Sequence, residues 1–340
     1  MAAEGADFTW IDSERLIRFG VGVVDSAADL LEQRGFVRYA LLTTDRALAS
    51  ARHLAQGAES VLFVAPTPVP EAAASARDEV GGRPLVALGG GRVIDAAKAI
   101  AGADRLPVAA IPTTLSGAEM TQIHRMPAGV TEFNLVRPSL VIADPRLMAS
   151  QPMPDIAASA MNALAHGMEP LYTPFANPVA EMTALRGARL IAAALEGDGE
   201  PDRNDLALGS LLCAYALDSA GYAVHHVVCQ TIVRIALTPH AQTNAVMLPH
   251  TMAFMASRAP GAIGRLASAL RAGREDPALA PEEAVRLAAR SGATRLSGIG
   301  FDEGRIDEVV AAALARPELA NTPPSPPTGE ELERVIRHAL

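Results

Sequence analysis

The stretch 85-LVALGGGRVIDAAKAIAG-102 decides how this chain is read. Leu85 to Leu88 form a continuous apolar run, the pattern of a buried strand. Three glycines come next, Gly89, Gly90 and Gly91, and from Arg92 the apolar positions recur at helical spacing. A strand that passes into a helix through glycines suits a phosphate. The backbone can come close to it, and the first amides of the helix have no partner of their own and carry partial positive charge. A tight turn with no ligand fits the same residues. The spacing is not G-x-G-x-x-G, so the common dinucleotide fingerprint is not matched.

Working outward, the pattern repeats. A short strand with a glycine turn at 17–22 precedes a helix at 25–35, and a strand at 38–43 ends in Thr44 and Asp45 ahead of a helix at 46–57. A strand at 60–65, a helix at 70–82, a strand at 107–114 and a last strand at 139–145 complete the series. Alternating strands and helices of this length predict a parallel sheet covered on both faces, a Rossmann-like α/β domain. Ligands of such sheets bind beyond the carboxyl ends of the strands. Thr44, Asp45, Gly89 to Gly91, Thr113 and Thr114 all fall there. Beyond Pro154 the chain turns into alanine- and leucine-rich helices, at 155–172, 178–196, 204–235, 242–257, 260–272, 279–291, 303–315 and 328–340. The expected division is therefore 1–153, α/β, and 154–340, all-helical. Thr328, after a proline-rich turn, is the expected cap of the last helix.

The bulk figures narrow the partners. With 340 residues, 49% of them hydrophobic, the chain can bury a large core and favours two domains. A formal net charge of -9 and no basic cluster argue against nucleic acid and leave a small-molecule substrate as the expected partner. Cys213 and Cys229 make no disulfide framework and fit a reducing compartment. The stretch MAAEGADFTW has acids and no apolar core of a secretory signal, so a cytoplasmic location is expected. The long apolar run at 207–228 is interrupted by Asp218, His225 and His226, which argues for a buried helix and against a membrane span.

Several motifs then line up with one family. The segment 88-LGGGRVIDAAKAIA-101 resembles the glycine signature of the iron-containing alcohol dehydrogenases, with Arg92 where serine is usual. The segment 111-IPTTLSGAEMT-121 resembles the next conserved stretch of that family, and 160-AMNALAHGMEPLY-172 and 225-HHVVCQTIVRIALTPHAQTNAVMLPH-250 resemble its metal and active-site helices. The C-terminal 321-NTPPSPPTGEELERVIRHAL-340 is, like these, most similar to the maleylacetate reductase branch. The resemblance implies a dehydroquinate synthase-like fold, an NAD(P)H-binding N-terminal domain, catalysis in an interdomain cleft, and a homodimer paired through N-terminal strands, with 17–22 supplying an edge. It places Gly89, Gly90, Gly91 and Asp95 on the pyrophosphate turn, and Thr113, Thr114 and Ser116 on the nicotinamide side. Asp45 falls where an acid bonds the adenosine ribose. A carboxylate there accepts from a 2′-hydroxyl and repels a 2′-phosphate, which favours NAD over NADP. The other reading of Asp45 is a cap for the helix at 46–57.

Asn162 and His166 are four apart and share one face of a helix. With His226 and His240 they match the four ligand positions of the family, where the first is normally Asp. An amide and three neutral imidazoles make a weaker cation site than a set with an anion. The maleylacetate reductase branch resembles this chain in carrying Asn and working without metal, which implies a metal-independent enzyme. His166, His226 and His240, flanked by His225, would then donate to the carbonyl oxygen as hydride arrives. For His53 and His250 the bland reading, a satisfied core histidine, is preferred.

The departures from the family pattern keep a second function open. Gln230 stands where a histidine is usual and cannot relay a proton as an imidazole does. Arg234 replaces a small residue and reads equally as an anion clamp or a surface arginine. The basic, glycine-containing loop of maleylacetate reductases is missing between Met126 and Val136, which changes the expected substrate pocket. The expected function is an NAD(H)-dependent reductase acting on a carbonyl or enol carbon of a small substrate, carboxylated or not. A redox-neutral lyase, cyclase or isomerase on the same scaffold is the alternative, and a catalytically silent binding protein the third reading.

Overall fold

Seven strands form one sheet in the order β1-β2-β7-β6-β5-β3-β4. They are β1 (Phe8–Asp12), β2 (Arg15–Phe19), β3 (Tyr39–Thr43), β4 (Ala58–Phe63), β5 (Leu85–Gly89), β6 (Val108–Pro112) and β7 (Leu140–Ala143). The computed structural model describes residues 8–197 and 199–340; the acidic start of the chain, read above for the absence of a signal, lies outside the described residues. Four helices connect the strands, α1 (Ala27–Gln33), α2 (Asp45–Ser50), α3 (Val69–Val80) and α4 (Gly91–Asp104), and α5 (Pro145–Met148) follows β7. All pairings are parallel except β1 with β2.

The two-residue period of the strands builds two cores, one on each face. Ala40, Leu42, Leu85, Ala87, Val108 and Ala110 pack under α3 and α4. Leu41, Val86, Leu88, Ala109, Ile111 and Ile142 pack on the other face with α1 and α2. Adjacent residues of one strand thus serve different layers, which is why these strands read as unbroken apolar runs. The chain leaves β3 for β4 in one direction and β5 for β6 in the other. The sheet therefore reverses between β3 and β5, the crevice where open α/β sheets bind ligands.

Two corrections concern the N-terminal strands. β1 pairs along the whole of β2, in a hairpin that turns through Ser13 and Glu14. The strand expected at 17–22 runs from Arg15 to Phe19 and lies between β1 and β7, so it supplies no edge.

Between β6 and β7 the chain has no regular element, and a buried amine organises it. Lys98 of α4 is fully buried; its Nζ donates to the carbonyls of Ala118 (2.9 Å), Thr121 (3.1 Å) and Ile123 (2.7 Å) and pairs with Asp95 Oδ1 at 2.8 Å. Further along, Asn134 Nδ2 donates to Gly102 O and Val136 N donates to His124 Nε2.

The chain divides after Ser150 into two units. The second is helical throughout: α6 (Met153–Met168), α7 (Pro178–Ala194), α8 (Arg203–Ala220), α9 (Val224–Ala236), α10 (His240–Arg258), α11 (Pro260–Ala267), α12 (Leu279–Ala288), α13 (Ile306–Leu314) and α14 (Gly329–His338). α7 and α8 approach at Gly187 and Gly209, where a methyl group at either would stand 2.7–2.8 Å from the other's carbonyl oxygen. Thr328 caps α14 in a reciprocal box with Glu331, as its sequence predicts. The single helix expected at 204–235 is two. Gly221, at φ +72°, ends α8, and α9 leaves at 103° to it. Among the described residues no single helix is long and apolar enough to cross a membrane.

Candidate active site

In the first unit the glycine turn is built by close contact. None of Gly89, Gly90 and Gly91 has positive φ, so their conformation does not demand glycine; their surroundings do. A Cβ on Gly89 would stand 2.6 Å from Val93, one on Gly90 3.0 Å from Thr114, and one on Gly91 3.0 Å from Ser116. The structure thus brings together Gly90, Gly91, Thr114 and Ser116, and Thr113 N donates to Gly89 O at 3.0 Å. Gly90 opens α4 without a side-chain cap; Val93 N turns back to Gly90 O at 3.0 Å, and the amides of Gly91 and Arg92 ahead of it remain available to an anion. Arg92 is exposed on this first turn.

The two readings of Asp45 separate cleanly. Thr44 Oγ1 accepts from Ala47 N at 3.3 Å and caps α2, so Asp45 is its first helical residue and not its cap. Its carboxylate is exposed, at the carboxyl end of β3 and one side of the sheet reversal. Asp95 sits one turn into α4 with its side chain part-exposed, and its Oδ1 turns to the Lys98 ammonium at 2.8 Å, so it also serves the loop anchor.

In the second unit, α6 presents Asn162, His166 and Glu169 at i, i+4 and i+7, one face of the helix and its 3-10 extension. All three side chains are buried. The break at Gly221 starts α9 afresh, so that His225 and His226 lie in its first turn against that face. His226 stacks on His166 with ring centroids 4.9 Å apart. Glu169 Oε1 accepts from His225 N at 2.7 Å, and Glu169 Oε2 takes His226 Nδ1 at 2.5 Å. A carboxylate oxygen only accepts, so the proton of His226 belongs on Nδ1 and Nε2 is bare.

Three buried atoms then have no hydrogen-bond partner among the described residues: Asn162 Oδ1, His166 Nδ1 and His226 Nε2. Buried polar atoms are normally satisfied, so three together mark a place for a ligand. Burial and the neighbouring imidazoles push His166 well down, and burial, His240 and Arg316 push His226 down to about 3. Both rings are neutral at neutral pH and can offer lone pairs. His240 opens α10, exposed, close enough to act electrostatically on both.

Two expected catalytic residues are bonded elsewhere. His225 donates or accepts at both ring nitrogens, with Thr251 Oγ1 at 2.8 Å and Asn244 Oδ1 at 3.0 Å, so it has no atom left for a substrate. Gln230 Oε1 accepts from Arg316 Nη2 at 3.1 Å. Arg234 is exposed in the last turn of α9, the surface reading. His53 is satisfied by Val24 O at 3.0 Å, as its bland reading expects, and His250 is half-buried.

Sequence reasoning missed Glu169 and the group beside Gln230. Arg316 Nη2 also donates to Tyr222 Oη at 2.9 Å, and Tyr222 donates to Glu318 Oε1 at 2.7 Å. The Tyr222 ring lies 5.8 Å from that of His226. The signal for Glu169 was present: an acid one turn beyond His166 in an otherwise apolar helix. For Arg316 there was none, because it comes from a different part of the chain.

Two family models match the chain. Residues 15–145 match that of the iron-containing alcohol dehydrogenases, and residues 156–340 match the C-terminal part of the Fe-containing alcohol dehydrogenase family. This chain belongs to the iron-containing alcohol dehydrogenase family. A maleylacetate reductase from Pseudomonas knackmussii is 34% identical over 315 residues, 85% of this chain and 87% of that protein. The crystal structure of maleylacetate reductase from Agrobacterium tumefaciens superposes with a TM-score of 0.82 at 30% identity, covering 98% of each chain. An iron-containing alcohol dehydrogenase from Corynebacterium glutamicum gives 0.82 at 31%, covering 98% of this chain and 97% of that one. The chain is thus a maleylacetate reductase-like oxidoreductase, which sets aside the redox-neutral and silent readings.

Family membership also corrects the expected metal independence, since both matching families are defined by their iron. The residues present fit a cation in kind. Among the described residues no three His, Cys, Asp or Glu side chains form a metal site by themselves. The Asn162 oxygen would supply a third donor beside His166 and His226, and all three atoms lack a hydrogen-bond partner among the described residues.

Proposed function

We propose that the chain is an NAD(H)-dependent reductase acting on a carbonyl or enol carbon of a small, carboxylated substrate. The first unit is the dinucleotide-binding domain and the second the catalytic domain. The observation that carries the reading is the trio of unpartnered buried atoms, Asn162 Oδ1, His166 Nδ1 and His226 Nε2, in a chain that also holds an uncapped helix behind a glycine turn. The carboxylate of the substrate is inferred from the relatives, which are maleylacetate reductases.

A nicotinamide dinucleotide supplies the hydride, and a divalent cation, where bound, supplies Lewis acidity at the carbonyl oxygen. The residues do the rest. The first amides of α4 take the pyrophosphate, with Arg92 on the same turn as a further cation for it. Thr113, Thr114 and Ser116 line the nicotinamide side. Asp45 accepts from the ribose hydroxyls and repels a 2′-phosphate, which selects NAD over NADP. Asn162, His166 and His226, with His240 beside them, would hold the cation and orient the carbonyl. Burial disfavours the charged forms of His166 and His226, which leaves their lone pairs available at neutral pH.

The test is fluorescence titration of the purified protein with NADH and NADPH, followed by NADH oxidation with 3-oxo and enol dicarboxylic acids, with and without added ferrous ion. Saturable NADH binding tighter than NADPH, and turnover that rises with iron, are expected. Absence of NADH binding would falsify the reading.

A further inference from the structure

The donor set has no anion. Asn162, His166 and His226 are all neutral and nearly fully buried, and a divalent cation among them would place two charges where water cannot reach. The carboxylate bonded to this set is Glu169. It lies on the α6 face that carries Asn162 and His166, is fully buried, and reaches His226 at the nitrogen that faces away from the cation. Its other oxygen is held by His225 N, so the carboxylate cannot swing into the donor set without losing that bond.

We propose that Glu169 is the positioning residue of the cation site: it locks His226 as the Nδ1–H tautomer, and it supplies through that ring the negative charge that the donor atoms lack. The inference rests on the cation reading of the cluster, and it is independent of the substrate. A carboxylate behind a metal-bound imidazole fixes the ring and raises its basicity, and removing one weakens metal binding by about 10- to 100-fold. Here the effect carries more weight because no donor atom is charged.

The chemistry of an amide makes Glu169→Gln informative. Glu169 accepts two N–H bonds, one on each oxygen, and a Gln side chain has a single oxygen. Held by His225 N through that oxygen, Gln turns its NH2 to His226 Nδ1. The His226 proton must then move to Nε2, the atom the cation needs.

The experiment is a titration of purified wild-type, E169Q, N162D and N162D/E169Q proteins with Co2+, followed by calorimetry and by the cobalt absorption bands, with histidine tautomers read by 15N NMR before metal is added. Wild type is expected to bind Co2+ with His226 as Nδ1–H. E169Q should bind about 10- to 100-fold more weakly with His226 as Nε2–H. N162D, which puts an anion among the donors, should bind more tightly than wild type, and the double variant more tightly than E169Q. Equal binding by E169Q and wild type, an Nε2–H tautomer in wild type, or no gain from N162D in either background overturns the proposal. If E169Q does not fold, the wild-type tautomer and the N162D titration decide it. Wild type that binds NADH and not Co2+ overturns this proposal and leaves the nucleotide reading standing.

Discussion

The glycine turn of the first unit and the histidine cluster of the second are opposite kinds of candidate ligand site. Around Gly89 to Gly91 the site is backbone: the room for side chains is already taken by Val93, Thr114 and Ser116, and the remainder is a row of amides at the start of α4. In the cluster the backbone is closed into helices and the site is side-chain atoms, three of them buried without partners. A backbone site tolerates no added atoms. A side-chain site tolerates no lost ones. That asymmetry can be attacked from both ends.

The largest effect is expected in the cluster. His166→Ala removes one of the three atoms proposed to hold the cation and leaves no protein partner stranded, so turnover should fall by at least about 100-fold, more than losing an outer-shell partner costs, while NADH affinity stays as it is. Steady-state kinetics beside an NADH titration separates the two. A variant that loses both would place His166 in the nucleotide site and erase the distinction.

The next effect tests the exception within the first unit. Glu119 is fully buried, neither oxygen has a hydrogen-bond partner among the described residues, and burial pushes its carboxyl from 4.5 up to about 7. The folded state therefore holds this proton more tightly than the unfolded one. Its contribution is present below pH 4.5 and is lost as pH rises through about 7. Urea midpoints of wild type should fall across that window by up to about 3 kcal/mol of stability, and Glu119→Gln should flatten the decline. An unchanged slope in the variant would assign it to other groups.

Crowding the turn comes third. Gly90→Val drives new atoms into Thr114, and about 1–3 kcal/mol of overpacking should weaken NADH by about tenfold to a hundredfold. Catalysis at saturating NADH should survive. The smallest change is Asp45→Asn, which removes one charged acceptor and should cost NADH about tenfold while leaving NADPH no weaker. Parallel losses for both nucleotides would mean that Asp45 does not touch the ribose.

How far the sequence could be read obeys the same division. Close backbone approach leaves glycine as the only residue that fits, and the turn at Gly89 to Gly91 was legible for that reason. The capping residue Thr44 and the box at Thr328 were legible as local chemistry too. Side-chain sites show only residue types. Asn162 and His166 could be paired by helical spacing, but nothing local says that His225 is spent on Thr251 and Asn244 while His226, one residue on, is aimed by Glu169. The break at Gly221 was hidden by apolar residues on both sides, although its glycine marked it. β1 was missed because its turn, Ser13-Glu14 with Ser13 at φ +58°, has none of the Asn-Gly or Asp-Gly chemistry that announces a hairpin.

The Lys98 anchor has a consequence for how this enzyme could be remodelled. One ammonium clasps three carbonyls between residues 118 and 123, and a second set of clasps closes at Asn134 and Val136. The span between them crests at Gly129, with Thr131, Glu132 and Phe133 exposed. Both ends of that crest are fixed by these bonds, and on its near side Ala128 N donates to Pro70 O at 2.9 Å. It is a socket in the engineering sense, a place beyond Ala128 where a longer peptide could be spliced in while the clasps on either side hold.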